Sequence, residues 1–268
     1  MESLFTAAVL GFVEGLTEFL PISSSGHLVI ASSLLGFAGP KAATFGVVIQ
    51  VGAILAVLTL YWRRFYGLLR PQAGSAFSGL HGILLLILTT LPGAGLGLAL
   101  HGFIKTLFTP VSVAAALVVG GVLMLVIEKV MADCQNDMPT TSLDQLTVKQ
   151  ALGIGCFQCL ALWPGFSRSA STIMGGMILG VRRETAAEYS FVAAVPIIMG
   201  AAGYDLIKSL SLFSVADIPF FLVGSAVAFV SAIAAMRSFI AILKHSTLKP
   251  FAFYRFLLAV PVYLFMVS

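Results

Sequence analysis

Charged side chains are scarce in this chain, and their scarcity excludes an ordinary soluble domain. Only 10% of its 268 residues are Asp, Glu, Lys or Arg, whereas 59% are apolar. Soluble domains usually carry about 25% charged residues. A basic tract is also missing, because the net charge of +4 comes from single residues and pairs at the ends of apolar segments. We therefore expect an integral membrane protein and no nucleic-acid partner.

Cysteine is equally scarce, with three residues in the whole chain. Cys156 and Cys159 form a C-x-x-C pair inside an apolar segment with no second pair elsewhere, so the sequence predicts neither a disulfide framework nor a zinc site. We expect both to be small buried side chains. Residues 1–15 lack the basic region and the cleavage pattern of a signal peptide, and we expect them to belong to the mature fold.

Long apolar runs are abundant and predict an all-α membrane fold. A helix needs about 20 apolar residues to cross the roughly 30 Å hydrocarbon core. Six segments meet this requirement: 43–62, 82–100, 111–129, 188–207, 218–236 and 251–267.

Two further apolar segments, 4–36 and 148–181, are interrupted in the middle by the polar turns PISSSGH and PGFSRSAS. Each half is too short to cross a bilayer. Two half-length helices joined by a polar turn predict a re-entrant hairpin, whose irregular backbone must be surrounded by protein or by a watery cavity.

The two interrupted segments also resemble each other. Aligning residues 11–27 with 155–171 pairs Gly11 with Gly155, Ser23 with Ser167, and Ser25 with Ser169. We interpret residues 1–268 as one membrane domain made of two repeats, about 1–146 and about 147–268. Because each repeat holds one hairpin and three spans, an odd number, the second repeat starts on the opposite face. An internal repeat of inverted topology follows.

Basic residues predict the orientation of the chain. The connections 63–80, 129–149, 182–187 and 237–255 hold eleven Lys and Arg residues, and the opposite face holds three. This bias places the four connections in the cytoplasm and both termini outside. Arg255 is counted among the cytoplasmic residues, which leaves Arg168 as the only basic residue deep within a predicted membrane segment.

Glu14 and Glu18 are the acidic residues of the first interrupted segment. Four residues apart on a helix, they share one face, and a buried carboxylate needs a cation, a shared proton or water. The pair predicts either a divalent metal site for Mg²⁺ or Ca²⁺, between which the sequence does not choose, or a catalytic pair. The alternative is two structural acids at a helix interface.

The turn after these acids predicts an anion-binding site. Pro21 ends the first half-helix, and Ser23, Ser24 and Ser25 lie where the second begins, so their hydroxyls and the free N–H groups of the helix start suit a phosphate. His27 can act as a base, an acid or a nucleophile. Its alternative is a buried histidine bonded to a carbonyl.

The second turn supplies a guanidinium. Arg168 lies between Ser167 and Ser169, and Thr172 follows on the first turn of the next helix. An intramembrane arginine needs an anionic partner. Arg168 either pairs with Glu14 or Glu18, or binds phosphate with the surrounding hydroxyls, for which its planar fork is suited.

The stretches GFVEGLTEFLPISSSGH and GCFQCLALWPGFSRSAST, with VVIQVGAILAV and PFAFYRFLLA, resemble the bacterial undecaprenyl-diphosphate phosphatases of the bacitracin-resistance type. The resemblance covers essentially the whole chain. It implies hydrolysis of a C55 polyprenyl diphosphate to the monophosphate, which recycles the cell-wall lipid carrier, at the periplasmic face of the inner membrane. It also implies divalent-metal dependence and an inverted-repeat fold.

The resemblance implicates Glu14, Glu18, Ser24, His27 and Arg168 as functional residues. Two departures concern the turns: Ser25 stands where threonine is common, and Ala170–Ser171 replaces a usual Gly–Ala. If the replaced glycine needed a positive φ, alanine would cost about 1 kcal/mol or more.

We therefore expect Ser24 to attack the phosphoryl group, His27 to activate Ser24 or to protonate the leaving lipid phosphate, and Arg168 to bind the departing phosphoryl group. Attack by His27 or by metal-bound water stays open. The alternative function is a lipid-phosphate flippase or an ion-coupled transporter, because inverted repeats and midplane acids are also typical of carriers. A non-catalytic scaffold would leave the polar turns unexplained. Whether two copies form a homodimer stays open.

Overall fold

The computed structural model describes residues 3–37, 39–71, 74–134, 137–209 and 214–267. Over these residues the chain is helical, and its one β-type pairing is an isolated bridge between Thr140 and Val181. The described part contains these α helices: α1 Leu4–Thr17, α2 Ser24–Leu34, α3 Pro40–Leu60, α4 Trp62–Leu69, α5 Gly79–Ala99, α6 His101–Thr106, α7 Pro110–Val130, α8 Val148–Gln158, α9 Arg168–Ile178, α10 Arg183–Ser209, α11 Ile218–Leu243 and α12 Lys249–Val267.

Long apolar helices dominate this architecture. Among the described residues, six helices are long and apolar enough to cross a membrane, namely α3, α5, α7, α10, α11 and α12. The prediction of an all-α chain with six long apolar helices is confirmed. Cys156 is exposed and Cys159 half-buried, so the prediction that both are buried is wrong for Cys156.

The two interrupted segments form helical hairpins. In the first hairpin, residues 4–34, α1 has 14 residues and α2 has 11, and the two helices pack against each other. In the second hairpin, residues 148–178, α8 and α9 have 11 residues each and pack in the same way. An 11-residue helix rises only about 16 Å, roughly half of the hydrocarbon core.

Equivalent helices of the two halves have equivalent neighbours. The first residues of α2 and α9, Ser24 and Arg168, are 144 positions apart, like the pairs found in the sequence. Helix α1 packs on α11 and α8 packs on α5, while α2 contacts α12 and α9 contacts α7. Helices α3 and α10 contact each other across the middle. Each hairpin consequently packs against at least two long helices.

Glycines let the hairpins approach their neighbours at backbone distance. A Cβ atom at Gly11 or Gly15 of α1 would collide with backbone atoms of Gly224 and Ala228 on α11. At Gly155 of α8 it would collide with backbone atoms of α5. Small residues at helix crossings are typical of membrane proteins, where close packing drives association. Gly11 and Gly155 are also an aligned pair of the repeat.

A polar cluster fastens the connection between α7 and α8 to α4 and α5. The carboxylate of Asp144 accepts hydrogen bonds from Ser75 Oγ (2.6 Å), Phe77 N–H (2.9 Å) and Arg64 Nη1 (2.7 Å). Burial raises the pKa of Asp144, but these hydrogen bonds outweigh it, and the pKa lies below its ordinary value. The carboxylate therefore stays ionised on the face predicted to be cytoplasmic.

Candidate active site

The turns of the two hairpins meet at a cavity of about 440 Å³. Its polar lining includes Glu18, Ser24 and Arg168, and its apolar wall includes Phe108 and Ile197. Ser169 of the second hairpin donates a hydrogen bond from Oγ to the Leu20 carbonyl of the first, at 2.7 Å. A cavity lined by both polar and apolar side chains suits the head group of an anionic amphiphile.

Both helices that begin at this cavity are preceded by a serine in an unusual backbone conformation. Ser23 has φ 70° and Ser167 has φ 78°, and among the described residues they are the only non-glycine residues with positive φ. This conformation costs about 1–3 kcal/mol and persists where the surrounding structure enforces it, often at functional sites. The turns place Ser24 and Arg168 at the starts of α2 and α9, where unpaired N–H groups favour an anion.

Glu18 connects the two turns. One carboxylate oxygen accepts a hydrogen bond from Ser24 Oγ at 2.6 Å, and the other lies 3.2 Å from Arg168 Nη2. Arg168 also donates from Nη1 to the carbonyl (2.9 Å) and to the hydroxyl (3.2 Å) of Ser190. Its Nε is buried with no acceptor among the described residues. The guanidinium is thus paired with a glutamate and keeps one donor without an acceptor among the described residues.

Glu14 lies one turn before Glu18 and is fully buried, with 0% of its surface exposed. Neither carboxylate oxygen accepts a hydrogen bond from the described residues. Glu14 does not line the cavity. It is a buried acid one helical turn before Glu18.

The structure does not bring His27 into this cavity. The imidazole borders a separate, mainly apolar cavity of about 430 Å³. Its Nδ1 lies 2.8 Å from the Ser23 carbonyl, and its Nε2 lies 2.8 Å from the Tyr254 hydroxyl. Because a carbonyl can only accept, Nδ1 carries the hydrogen, and Nε2 of the neutral ring accepts from Tyr254. His27 therefore holds the turn that precedes Ser24.

The other residues predicted to bind phosphate separate into two groups. Ser23, Ser25 and Ser167 line the cavity. Ser169 and Thr172 are buried among protein atoms. The Thr172 hydroxyl donates to Ser190 Oγ at 2.7 Å and thereby fixes an acceptor of Arg168.

Arg255 is the residue that the sequence analysis misplaced. It is 0% exposed, so, contrary to the prediction from the sequence, Arg168 is not the only basic residue in the interior of an apolar segment. Its guanidinium donates to the carbonyls of Pro21 in the first turn and of Gly165 and Phe166 in the second, and to two carbonyls of α7. Arg255 lies four residues after the start of the last predicted apolar segment, and this position was the signal in the sequence that it is buried.

Ala170, which stands at a position where the resemblance leads one to expect glycine, lies within α9 and has no positive φ. No strain arises there. Gln158 also lines the cavity, although the sequence did not predict it as a member of the site.

The sequence matches a known protein family over most of its length. The family model of the bacitracin resistance protein BacA matches residues 7–261. A protein of Desulfovibrio desulfuricans is 61% identical, with 100% of both chains covered. Proteins of Nitratidesulfovibrio vulgaris (60%, 99% of both chains) and Lawsonia intracellularis (52%, 98% of both chains) are also similar, and all three are named undecaprenyl-diphosphatase. The chain belongs to the bacitracin resistance protein BacA family.

Proposed function

We propose that this protein is an undecaprenyl-diphosphate phosphatase, which releases inorganic phosphate and returns undecaprenyl phosphate to cell-wall synthesis. One observation carries the proposal: Glu18 joins Ser24 and Arg168, at the starts of two helices, within one cavity. The names of the relatives support it. A cavity of about 440 Å³ is of the size that encloses a drug-sized ligand and is too small for a C55 chain, so the prenyl tail lies along the apolar lining and in lipid.

The proposed setting is the bacterial inner membrane, with the two hairpins re-entering it from opposite faces. The equivalent neighbours of α1 and α8, and of α2 and α9, support an inverted repeat. The bias of basic residues supports a first hairpin that enters from the periplasm. The cavity then opens to the periplasm, on the side of both termini, where the diphosphate becomes available.

Different polar residues bind the diphosphate, attack the phosphorus and transfer the proton. Arg168 Nε and the N–H groups at the starts of α2 and α9 bind the diphosphate. Ser24 Oγ attacks the terminal phosphorus while Glu18 takes its proton over 2.6 Å, and the bridging P–O bond breaks to release the lipid phosphate. Glu18 replaces His27 as the expected base because it is the group that Ser24 touches. Water then hydrolyses the phosphoserine, and Glu18 returns the proton to Ser24.

A divalent cation fits the acidic residues. Glu14 presents two buried carboxylate oxygens without a hydrogen-bond donor among the described residues, and hard cations such as Mg²⁺ or Ca²⁺ take such ligands. Glu14 and Glu18 would hold the ion. When bound, it would neutralise charge on the phosphates.

Phosphate release in detergent tests the reaction and the metal together. We expect the purified protein to release inorganic phosphate from undecaprenyl diphosphate, to lose this activity with a chelator and to regain it with Mg²⁺ or Ca²⁺. Glu14→Gln should weaken the response to metal because it removes a charged ligand. Phosphate release that persists undiminished in chelator would refute the metal site, and no release under any condition would refute the phosphatase.

A trapped phosphoenzyme tests the nucleophile. Acid quenching during turnover, followed by mass spectrometry, should locate a phosphate on Ser24, whose hydroxyl is bonded to Glu18. Ser24→Ala should remove the label, and Ser25→Ala should keep it, although Ser25 lines the same cavity. Label on His27, or no label in the unchanged protein, would exclude Ser24.

A further inference from the structure

Gln158, the last residue of α8, is a buried polar group that the proposed mechanism does not use. It is 2% exposed and lines the polar cavity together with Glu18 and Arg168. It stands 144 positions after Glu14, so it is the counterpart of that acid in the second half. The two halves therefore differ here by one charge, with a neutral amide where the first half has a carboxylate.

A hydrogen bond to the backbone of α5 determines which end of the Gln158 amide is bonded and which end is free. The Gln158 Nε2 donates a hydrogen bond to the Thr89 carbonyl at 3.1 Å. Because a carbonyl only accepts, the atom facing Thr89 must be the NH₂ group, and the amide assignment is unambiguous. Tight packing holds the pair in place, since a Cβ at Gly155 would collide with the carbonyls of Leu88 and Thr89.

The other end of the amide is left without a partner. Gln158 Oε1 is buried and accepts no hydrogen bond from the described residues. A buried acceptor without a donor costs about 1–3 kcal/mol. In the same cavity, the buried Nε of Arg168 is a donor without an acceptor. A ligand that satisfies both groups brings an acceptor to Arg168 and a donor to Gln158.

A phosphoryl group supplies the acceptor but not the donor. Its oxygens would repel an amide oxygen, unless a molecule with O–H groups lies between them. Water is that molecule in a hydrolysis, and an amide can hold it beside a phosphoryl group without adding negative charge, which a carboxylate at this position would add. Amide side chains orient the attacking water in other phosphoryl-transfer enzymes.

We propose that Gln158 Oε1 accepts a hydrogen bond from the water that attacks the phosphoryl group; this inference rests on the proposed phosphatase function. The water oxygen forms the new P–O bond, and the P–O bond to Ser24 breaks. Glu18 returns its proton to Ser24, and both water hydrogens leave on the inorganic phosphate. Gln158 gains and loses no proton, so it is a positioning residue for the water.

Gln158→Met tests this role because methionine keeps the size of the side chain and removes both polar atoms. We expect kcat for phosphate release to fall about 10²-fold, a typical cost of misplacing a reacting group, with KM within about twofold because the phosphate-binding groups remain. The matched control is Gln150→Met on the same helix. Gln150 is also largely buried, at 9% exposed, but bonds to groups away from the cavity, including Thr147 and Thr140, so its replacement should lower thermal stability and leave kcat within about threefold.

Methanol provides a readout that a merely structural role would not change. Attacking methanol must give its single hydroxyl hydrogen to a phosphoryl oxygen, so it has none left for Gln158, whereas water has a second. Loss of Gln158 should therefore slow the attack by water and not the attack by methanol. In a fixed concentration of methanol, Gln158→Met should raise the share of methyl phosphate in the product about tenfold or more.

Gly93→Ala perturbs the amide without replacing it. A Cβ at Gly93 would lie 3.3 Å from Gln158 Nε2, which displaces the amide by a few tenths of an ångström, and alanine favours the helix. This variant should shift the methyl phosphate share in the same direction by less, and it serves if Gln158→Met does not fold. A share equal to that of the unchanged protein in the folded variants overturns the inference. Absence of phosphate release from the unchanged protein would instead overturn the phosphatase itself.

Discussion

Arg168→Ala is expected to lower kcat/KM for phosphate release from undecaprenyl diphosphate by about 10³- to 10⁵-fold, the range for losing a transition-state arginine in phosphoryl transfer. Alanine removes the ion pair with Glu18, the two bonds to Ser190 and the free Nε donor. Glu18 then faces an anionic substrate without a counter-charge. The measurement is steady-state phosphate release in detergent at saturating metal.

Two variants separate this loss from misfolding. Arg168→Lys keeps the charge but not the planar fork, so it should recover only a small part of the activity. Arg182→Ala removes an arginine whose ion pair with Glu184 lies outside the cavity and should leave kcat/KM within about threefold. Near-normal activity of Arg168→Ala, with unchanged chromatographic behaviour, would contradict the assigned role.

Arg255→Met is expected to have the largest effect on stability. The guanidinium donates to five carbonyls, which belong to Pro21, Ala116, Leu117, Gly165 and Phe166. Each buried carbonyl left without a donor costs about 1–3 kcal/mol. Because these carbonyls lie in both turns and on α7, we expect loss of the folded protein from the membrane, or a thermal transition lowered by well over 10 °C.

Arg237→Met is the matched control, since Arg237 is exposed on α11 and its replacement should leave the transition within about 2 °C. Gly120→Val should reproduce part of the Arg255 defect, because a Cβ at Gly120 would collide with the guanidinium. Thermal unfolding in detergent, monitored through aggregation of the unfolded protein, measures the transition of both variants. A stable Arg255→Met protein with an intact cavity would show that the turns are held without this arginine.

Arg168 and Arg255 both lie at the hairpin turns but have different roles. Arg168 keeps a carboxylate and one unpaired donor at the cavity, whereas Arg255 uses its donors on backbone carbonyls alone. Irregular backbone at membrane depth must be satisfied by protein. Arg255 donates to backbone carbonyls of both turns, whereas Arg168 keeps one donor without an acceptor among the described residues.

His27 shows that residues of one sequence motif do not necessarily line the same cavity. Residues Ser23 to His27 are adjacent in sequence, and His27 was expected to act on Ser24. On a helix, however, successive side chains point in different directions, and the imidazole turns back to the Ser23 carbonyl while Ser24 turns to Glu18. Sequence proximity predicted that both residues belong to one turn, but not that they face one cavity.

The sequence by itself determined that this is a membrane protein and which of its segments form helices. Apolar runs of about 20 residues predicted six long helices, and two polar interruptions predicted two hairpins, because both signals are local and set by chain length. The carboxylates, serines and guanidinium of the site were likewise visible, since polar residues in apolar segments stand out. The family resemblance added their assignment to one reaction.

Tertiary structure alone decided which of these residues meet. Arg255 contacts both turns, and the Gln158 amide is oriented by Thr89, although these residues are far apart in the chain. His27 and Glu18 are close in sequence but are separated because the side chains of α2 point in different directions. Composition and spacing specify periodicity along a helix, but the rotation of a helix and its neighbours follow from packing, here from backbone contact at Gly11, Gly15 and Gly155. Those contacts, and not the polar motifs, decide which side chains share the cavity.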